Sequence, residues 1–134
     1  MSLSEELREI ISKRADYRCE YCLLHQDHSV KAHHGDHIIP RKHGGTDDLD
    51  NLAWSCFLCN SAKGSEVGAY DPLTGQLVPV YNPRTDDWNE HFQLSDGKIV
   101  GLTPVGRVTE MVLLLNREDR INSRRLLMEI NLYP

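Results

Sequence analysis

Two cysteine pairs, Cys19-Glu20-Tyr21-Cys22 and Cys56-Phe57-Leu58-Cys59, bracket a stretch that carries Asp36, His37 and Asn51, and Asn60 follows the second pair at once. A two-residue gap lets both sulfurs of a pair turn toward one ion in a tight knuckle, and two such pairs make a tetrahedral thiolate set suited to Zn²⁺. Four cysteines also allow three disulfide connectivities. The N-terminus carries acids early and lacks an apolar signal-peptide core, so the expected location is the cytoplasm. Structural disulfides are rare in that reducing compartment, which favours metal. Cys22 and Cys56 are separated by 33 residues. That is more than a simple zinc ribbon needs, so the clamp encloses a structural insert. Bound zinc would contribute about 10–16 kcal/mol to folding in a small finger peptide, against about 2–4 kcal/mol for a disulfide.

The inner residues suit phosphodiester hydrolysis, which needs an activated water, a base that titrates near neutrality and positive charge at the developing oxyanion. His37 suits the base, since an imidazole ordinarily titrates near pH ~6.5. Asp36 is a hard oxygen ligand for Mg²⁺ or Mn²⁺. Asn60 can offer an amide oxygen to the same ion, and Asn51 can orient the imidazole through a hydrogen bond. Blander roles compete with each. Asp36 and His37 could be a surface pair, Asn51 a turn cap, and Asn60 a helix N-cap. Neighbours on an ideal strand point to opposite faces, so one site can use both Asp36 and His37 only if the strand twists or ends near Ile38-Pro40. Arg41 and Lys63 flank these residues in sequence and are the expected phosphate contacts.

In this order, Cys19/Cys22, Asp36-His37-Ile38-Ile39-Pro40, Gly44-Gly45, Asn51-Leu52, Cys56/Cys59/Asn60 and Lys63-Gly64 resemble the HNH endonucleases. The resemblance covers about a third of the chain. It implies a ββα-metal core with a structural zinc held by the four cysteines. It also implies that His37 is the general base, that Asn51 holds the base in place, and that Asp36 and Asn60 are ligands of one catalytic divalent ion. An asparagine at position 60 makes this the H-N-N form. Family members hydrolyse DNA, leaving 5′-phosphate and 3′-hydroxyl ends. Asn82-Pro83-Arg84, Trp88, His91-Phe92 and the run Gly101 to Arg107 resemble an extension found in some bacterial members.

The elements that must position these groups can be read from patterning. Ser2 and Glu5 have capping-box spacing, and Leu3, Leu7, Ile10 and Ile11 follow a helical period, predicting a helix over Ser4 to Ala15. Val30 to Ile39 reads as a strand stopped by Pro40, and Asn51 to Trp54 as a second one. A helix is expected to begin at Asn60 and end near Gly64 or Gly68. Asp71 to Gly75 and Ser95 to Lys98 are turn chemistry between strand-like flanks. Thr103-Pro104 starts a helix, with Val105, Val108, Met111, Val112 and Leu115 as its apolar face. Asn116 is expected to cap a last helix. On that helix Arg117, Arg120, Arg124 and Arg125 alternate with acids as a solvated face. Most of the histidines outside the motif read as solvated loop residues, with His34 sharing a strand face with Asp36.

The expected fold is therefore α+β. The nuclease core with its N-terminal helix spans 1–69, and a hairpin and helix extension packed on the core spans 70–134. At 134 residues, 40% hydrophobic and 26% charged, the chain can build one ordinary globular core. It has no run of ~20 apolar residues, so no membrane partner is expected. The net charge is −5. A tetrathiolate zinc would lower it further, which argues against a broad polyanion-binding surface but leaves room for one or two phosphates held locally. DNA is the expected partner, and a homodimer or protein partner would offset weak intrinsic affinity. The rival reading is a non-catalytic zinc module that binds nucleic acid or protein. It needs the cysteines but not Asp36, His37 and Asn60 together.

Overall fold

A computed structural model describes residues 3–134, so the expected cap at Ser2 lies outside the described residues. Ser4 caps helix α1 (Glu5–Arg14), its hydroxyl accepting from the Leu7 amide at 3.2 Å. Glu5 and Glu6 sit in the first turn and Lys13 and Arg14 in the last, the polarity that a helix dipole favours. The buried face is narrower than the apolar stripe suggests. Ile11 is fully buried against Leu52 and Trp54, with Leu3 packed beside them, whereas Ile10 is exposed. Arg14 ties the helix end to the next layer by donating to the carbonyls of Leu49 and Leu52.

Strand β1 (His34–His37) pairs antiparallel with β2 (Leu52–Ser55), placing Asp36 opposite Ala53 and His37 opposite Leu52. The expected strand from Val30 to Ile39 is thus cut to four residues, and Val30 is fully exposed. Its partner sets the limit: β2 ends at Ser55 because Cys56 already caps helix α2 (Phe57–Lys63), so nothing remains for residues 30–33 to pair with. Cys56 Sγ accepts from the Cys59 amide, so the second knuckle is itself the helix start. Asn60 therefore does not open the helix, as its residue type suggested. It sits mid-helix, its amide bonded to the Cys56 carbonyl. Gly64 ends α2, as expected.

The C-terminal half adds a hairpin of β3 (Gly68–Tyr70) and β4 (Leu77–Pro79), a short helix α3 (Trp88–His91) and a hairpin of β5 (Phe92–Ser95) and β6 (Lys98–Gly101). Helices α4 (Pro104–Val112) and α5 (Glu118–Glu129) follow. Thr103 caps α4 with Pro104 behind it, as read from sequence. Its apolar face is partly as expected: Val108 and Leu115 are buried, while Met111 is exposed. Arg117 stands at the N-cap of α5. Asn116 instead clamps β6, its side chain accepting from the Ile99 amide and donating to the Ile99 carbonyl. The solvated arginine face is also overturned. Arg120 and Arg124 are buried, because backbone carbonyls at the ends of α4 and of the β5–β6 turn need donors that a guanidinium can reach.

One hydrophobic cluster spans both halves. It joins Cys19, Tyr21, Cys22, Ala53, Cys56 and Cys59 to Val80, Tyr81, Phe92, Ile99, Val108, Leu113 and Leu115. Buried polar ties reinforce it. Trp88 donates its indole N–H to the Tyr21 carbonyl, Arg84 pairs with Glu20, and the Tyr133 hydroxyl donates to the Cys22 carbonyl at 2.6 Å. No helix among the described residues is long and apolar enough to cross a membrane.

The β3–β4 turn is built on Asp71, whose buried carboxylate accepts from Thr74 and, as a fork, from Arg107 Nε and Nη2, both at 2.9 Å. Arg107 first, and then the turn donors, hold this carboxyl far below the usual carboxylate range. Its folded pKa is depressed, so the stability it contributes is present above about pH 4 and is lost as pH falls below that. The gap in Tm between the parent and Asp71→Asn is expected to be constant from pH 7 to about pH 4 and to narrow in more acid solution. A gap that ignores pH would contradict this reading.

Candidate metal centre and active site

The clamp comes first because it fixes everything inside it. Cys19, Cys22, Cys56 and Cys59 are buried, and their four sulfurs all lie within 4.8 Å of one another. Tetrahedral ligands at ~2.3 Å from a zinc ion stand about 3.8 Å apart. The Cys22 to Cys56 separation of 3.6 Å is close to that. The geometry therefore fits a four-coordinate zinc ion with no open position. Burial pushes the Cys19 and Cys59 thiols well above their ordinary range, whereas hydrogen bonds from the neighbouring cysteines hold Cys22 well below it, so thiolates at Cys19 and Cys59 need a compensating cation. One further cation is already in place. Arg120, from α5, directs Nη2 at Cys59 Sγ at 3.0 Å, while its Nη1 donates to the carbonyls of Leu113 and Leu114.

Asp36 points inward from β1. Its side chain is only 5% exposed, and its oxygens accept from the Tyr21 hydroxyl at 2.7 Å, from Lys63 Nζ at 3.2 and 3.3 Å and from Asn60 Nδ2 at 3.4 Å. Asp36 and Asn60, 24 residues apart, are thus side by side. A half-turn of the Asn60 amide exchanges nitrogen for oxygen and gives two adjacent oxygen ligands. Two such oxygens are the kind of ligand a hard divalent cation takes, but in this arrangement Lys63 Nζ already meets both Asp36 oxygens. Burial pushes the Asp36 carboxyl up from its ordinary value, while Lys63, Tyr21 and His37 act in the other direction.

Lys63 differs from its expected role. Its side chain is 1% exposed and its ammonium is taken up by Asp36 and by the carbonyls of His37 and Ile38, so it has no free donor at the surface for a phosphate. It sits one turn beyond Asn60 on the same face of α2, and that face packs against β1. Removing one partner of a buried ion pair strands the other charge, which costs about 3–5 kcal/mol. Lys63→Met is expected to lose stability of that size in urea unfolding, and Lys63→Met with Asp36→Asn is expected to recover part of it. Additive losses would mean that the two side chains act independently.

His37 ends β1 on the opposite face from Asp36, as strand alternation requires. Its ring is 17% exposed, and Nε2 lies 2.7 Å from Asp47 Oδ1. Arg41 Nη2 meets the same oxygen at 2.6 Å, and Arg41 Nε lies 3.4 Å from the imidazole. Arg41 is thus beside His37 and at the surface. The strand breaks immediately after His37, and Asn51 determines how. Its Oδ1 accepts from the Ile39 amide at 2.8 Å, and its Nδ2 donates to the carbonyls of Ile39 and Thr46. Asn51 therefore bonds the backbone on either side of the loop and does not touch the imidazole. Gly45 allows this closure, since a Cβ there would come within 1.6 Å of the Ile39 oxygen.

Three participants were not foreseen. Tyr21 sits inside the first knuckle, and its fixed distance from Cys19 and Cys22 was the available signal. Asp47 hides in the acidic run Asp47-Asp48-Leu49-Asp50, where nothing in the pattern separates one acid from another. Arg120 looked like a surface residue because the partner it needs is a carbonyl cluster that only the fold creates. Of the other histidines, His33 is buried and bonded to the Leu24 carbonyl, and His34 packs its ring near Phe57.

Residues 19–66 match the family described as HNH endonuclease. No curated protein and no solved structure matched the chain. The matched segment begins at the first clamp cysteine and runs through β1, β2 and α2, so the clamp, the ββα unit and the family match coincide. The segment from Cys19 to Glu66 is therefore an HNH domain, of α+β structure, with four cysteines placed to hold zinc.

Proposed function

We propose that the protein is a metal-dependent DNA endonuclease and that its HNH segment performs the hydrolysis. The observation that supports this most is the contact between Asn60 and Asp36, the residue next to His37, within one ββα unit. A zinc module with no reaction to catalyse has no need to bury a carboxylate beside an amide.

His37 acts as the general base. It takes a proton from a water molecule, and the water oxygen attacks phosphorus in line with the departing 3′-oxygen. The new oxygen–phosphorus bond forms as the bond to the 3′-oxygen breaks, and that oxygen takes a proton from solvent. The ends are then a 5′-phosphate and a 3′-hydroxyl. A Mg²⁺ or Mn²⁺ ion held by Asp36 and Asn60 would supply the positive charge that offsets the developing negative charge on the phosphate. Lys63 and Tyr21 hold Asp36 in one rotamer from the buried side. Asn51 holds the backbone after His37 so that the ring keeps its place. Arg41 meets the phosphate at the surface. A zinc ion closed off by the four thiolates would build the scaffold only.

The test is plasmid nicking by the zinc-loaded protein with Mg²⁺ or Mn²⁺, comparing the parent with His37→Ala. Nicking by the parent and its loss in the variant support the reading. A folded parent that binds DNA and leaves it intact would instead support a binding module.

A further inference from the structure

The loop between β1 and β2 does more than connect them. Asn51 bonds the Thr46 carbonyl, the Gly45 amide bonds the Pro40 carbonyl, and the Asp48 amide meets Thr46 Oγ1 at 3.3 Å. Asp47 is held between these fixed points, and its carboxylate is brought to 2.7 Å from His37 Nε2. A nitrogen in contact with an ionised carboxylate at that distance carries the proton. The carboxyl is ionised: the bond to His37 first, and then Arg41, keep it below the usual carboxylate range. Arg41 Nε also faces Nε2, but at 3.4 Å, which is too long to compete with the carboxylate for the tautomer. With Nε2 protonated, the lone pair of the neutral ring lies on Nδ1. No described residue hydrogen-bonds Nδ1, and it is not among the fully buried unpartnered atoms, so it is not sealed off from water.

We propose that Asp47 is a positioning residue for the base: it fixes His37 as the Nε2–H tautomer and leaves Nδ1 as the atom that takes the proton from water. This rests on the reading of His37 as the general base. The arrangement follows a general logic in which a carboxylate orients an imidazole and stabilises the imidazolium that forms. No bond to Asp47 is made or broken. The proton leaves water for Nδ1 and later leaves Nδ1 for solvent, while the Nε2 proton stays on the ring. Charged groups facing the imidazole are Asp47 and Arg41 at the surface, Asp36 across the strand, and Lys63 bound to the His37 carbonyl.

A competing use of the same contact is that Asp47 occupies the place of a DNA phosphate between His37 and Arg41 and must be displaced. The two uses predict opposite signs. Asp47 is half exposed, so Asp47→Asn and Asp47→Ala are expected to melt with the parent. For a positioning residue, both lower kcat for plasmid nicking by about 10- to 100-fold, less than the loss of a whole base, while KM for DNA changes little and Asp47→Glu restores part of the rate. Imidazole ¹⁵N shifts provide an independent readout. The parent should show His37 with Nε2 protonated and Nδ1 bare, and Asp47→Asn should show a mixture of tautomers. Unchanged kcat with an unchanged tautomer overturns the proposal, and so does a rise in nicking or DNA affinity. If the parent nicks no DNA, the nuclease reading fails while the nitrogen shifts still decide whether Asp47 sets the tautomer.

Discussion

Removing zinc with a chelator is expected to unfold both halves of the protein together. Metal analysis should find one zinc per chain beforehand. The expected contribution of a structural zinc, about 10–16 kcal/mol, is as large as the whole stability of a typical domain, about 5–15 kcal/mol. The clamp is also not a local feature. Its cysteines sit in the same cluster as Tyr81, Phe92, Ile99 and Val108, and three ties run from the extension to the knuckles. Arg120 reaches Cys59 Sγ, Tyr133 reaches the Cys22 carbonyl and Trp88 reaches the Tyr21 carbonyl. Without the ion, the four clustered sulfurs lose the cation that would hold them together. The two tryptophans report the two halves, Trp54 from β2 and Trp88 from α3. In Trp54→Phe and Trp88→Phe variants the remaining fluorophore should change at the same chelator concentration, and Cys56→Ser should resemble the stripped parent. A metal-free chain with free thiols and an unchanged fold would refute the structural role of zinc. Separate transitions would show that the halves fold independently.

The clamp and the motif order were legible in the sequence because their chemistry is local: knuckle spacing, turn residues and caps are set within a few positions. Thr103 with Pro104 and Gly64 after α2 were read correctly for this reason. Where a long-range partner decides, the sequence was a poor guide. Val30 to His33 have strand-like neighbours but no strand to pair with, and only the short β2 reveals that. Arg120 and Arg124 have the spacing of a solvated face, yet unsatisfied carbonyls at the ends of other elements draw them inside. Lys63 shows the same limit at the site itself. Its place next to the motif was visible, but its direction was not, because that depends on the face of α2 that meets β1. Asp36 and Asn60 were expected to converge, and they do. One site for Asp36 and His37 needs a strand end that re-aims one of them. The strand does end after His37, where Asn51 binds backbone at Ile39 and Thr46, but His37 still lies within β1 on the opposite face from Asp36.

His37→Ala is expected to reduce the rate of plasmid nicking by about 10²- to 10⁴-fold, the usual contribution of a general base, with zinc content and melting temperature close to those of the parent. The ring is at the strand end and partly exposed, and its main contact is with an exposed carboxylate, so little packing is lost with it. Asn51→Ala offers the informative contrast. It removes three hydrogen bonds that close the loop, so it should lower both rate and stability, and Thr46 with Asp47 should drift from His37. A base is recognised by a loss of rate with the fold intact, and a loop clamp by a loss of both. If His37→Ala nicks DNA as fast as the parent, the proton is taken by another group or the activity belongs to a contaminant. If instead His37→Ala unfolds and Asn51→Ala does not, the roles drawn from the geometry are reversed and the imidazole is a structural residue of the loop.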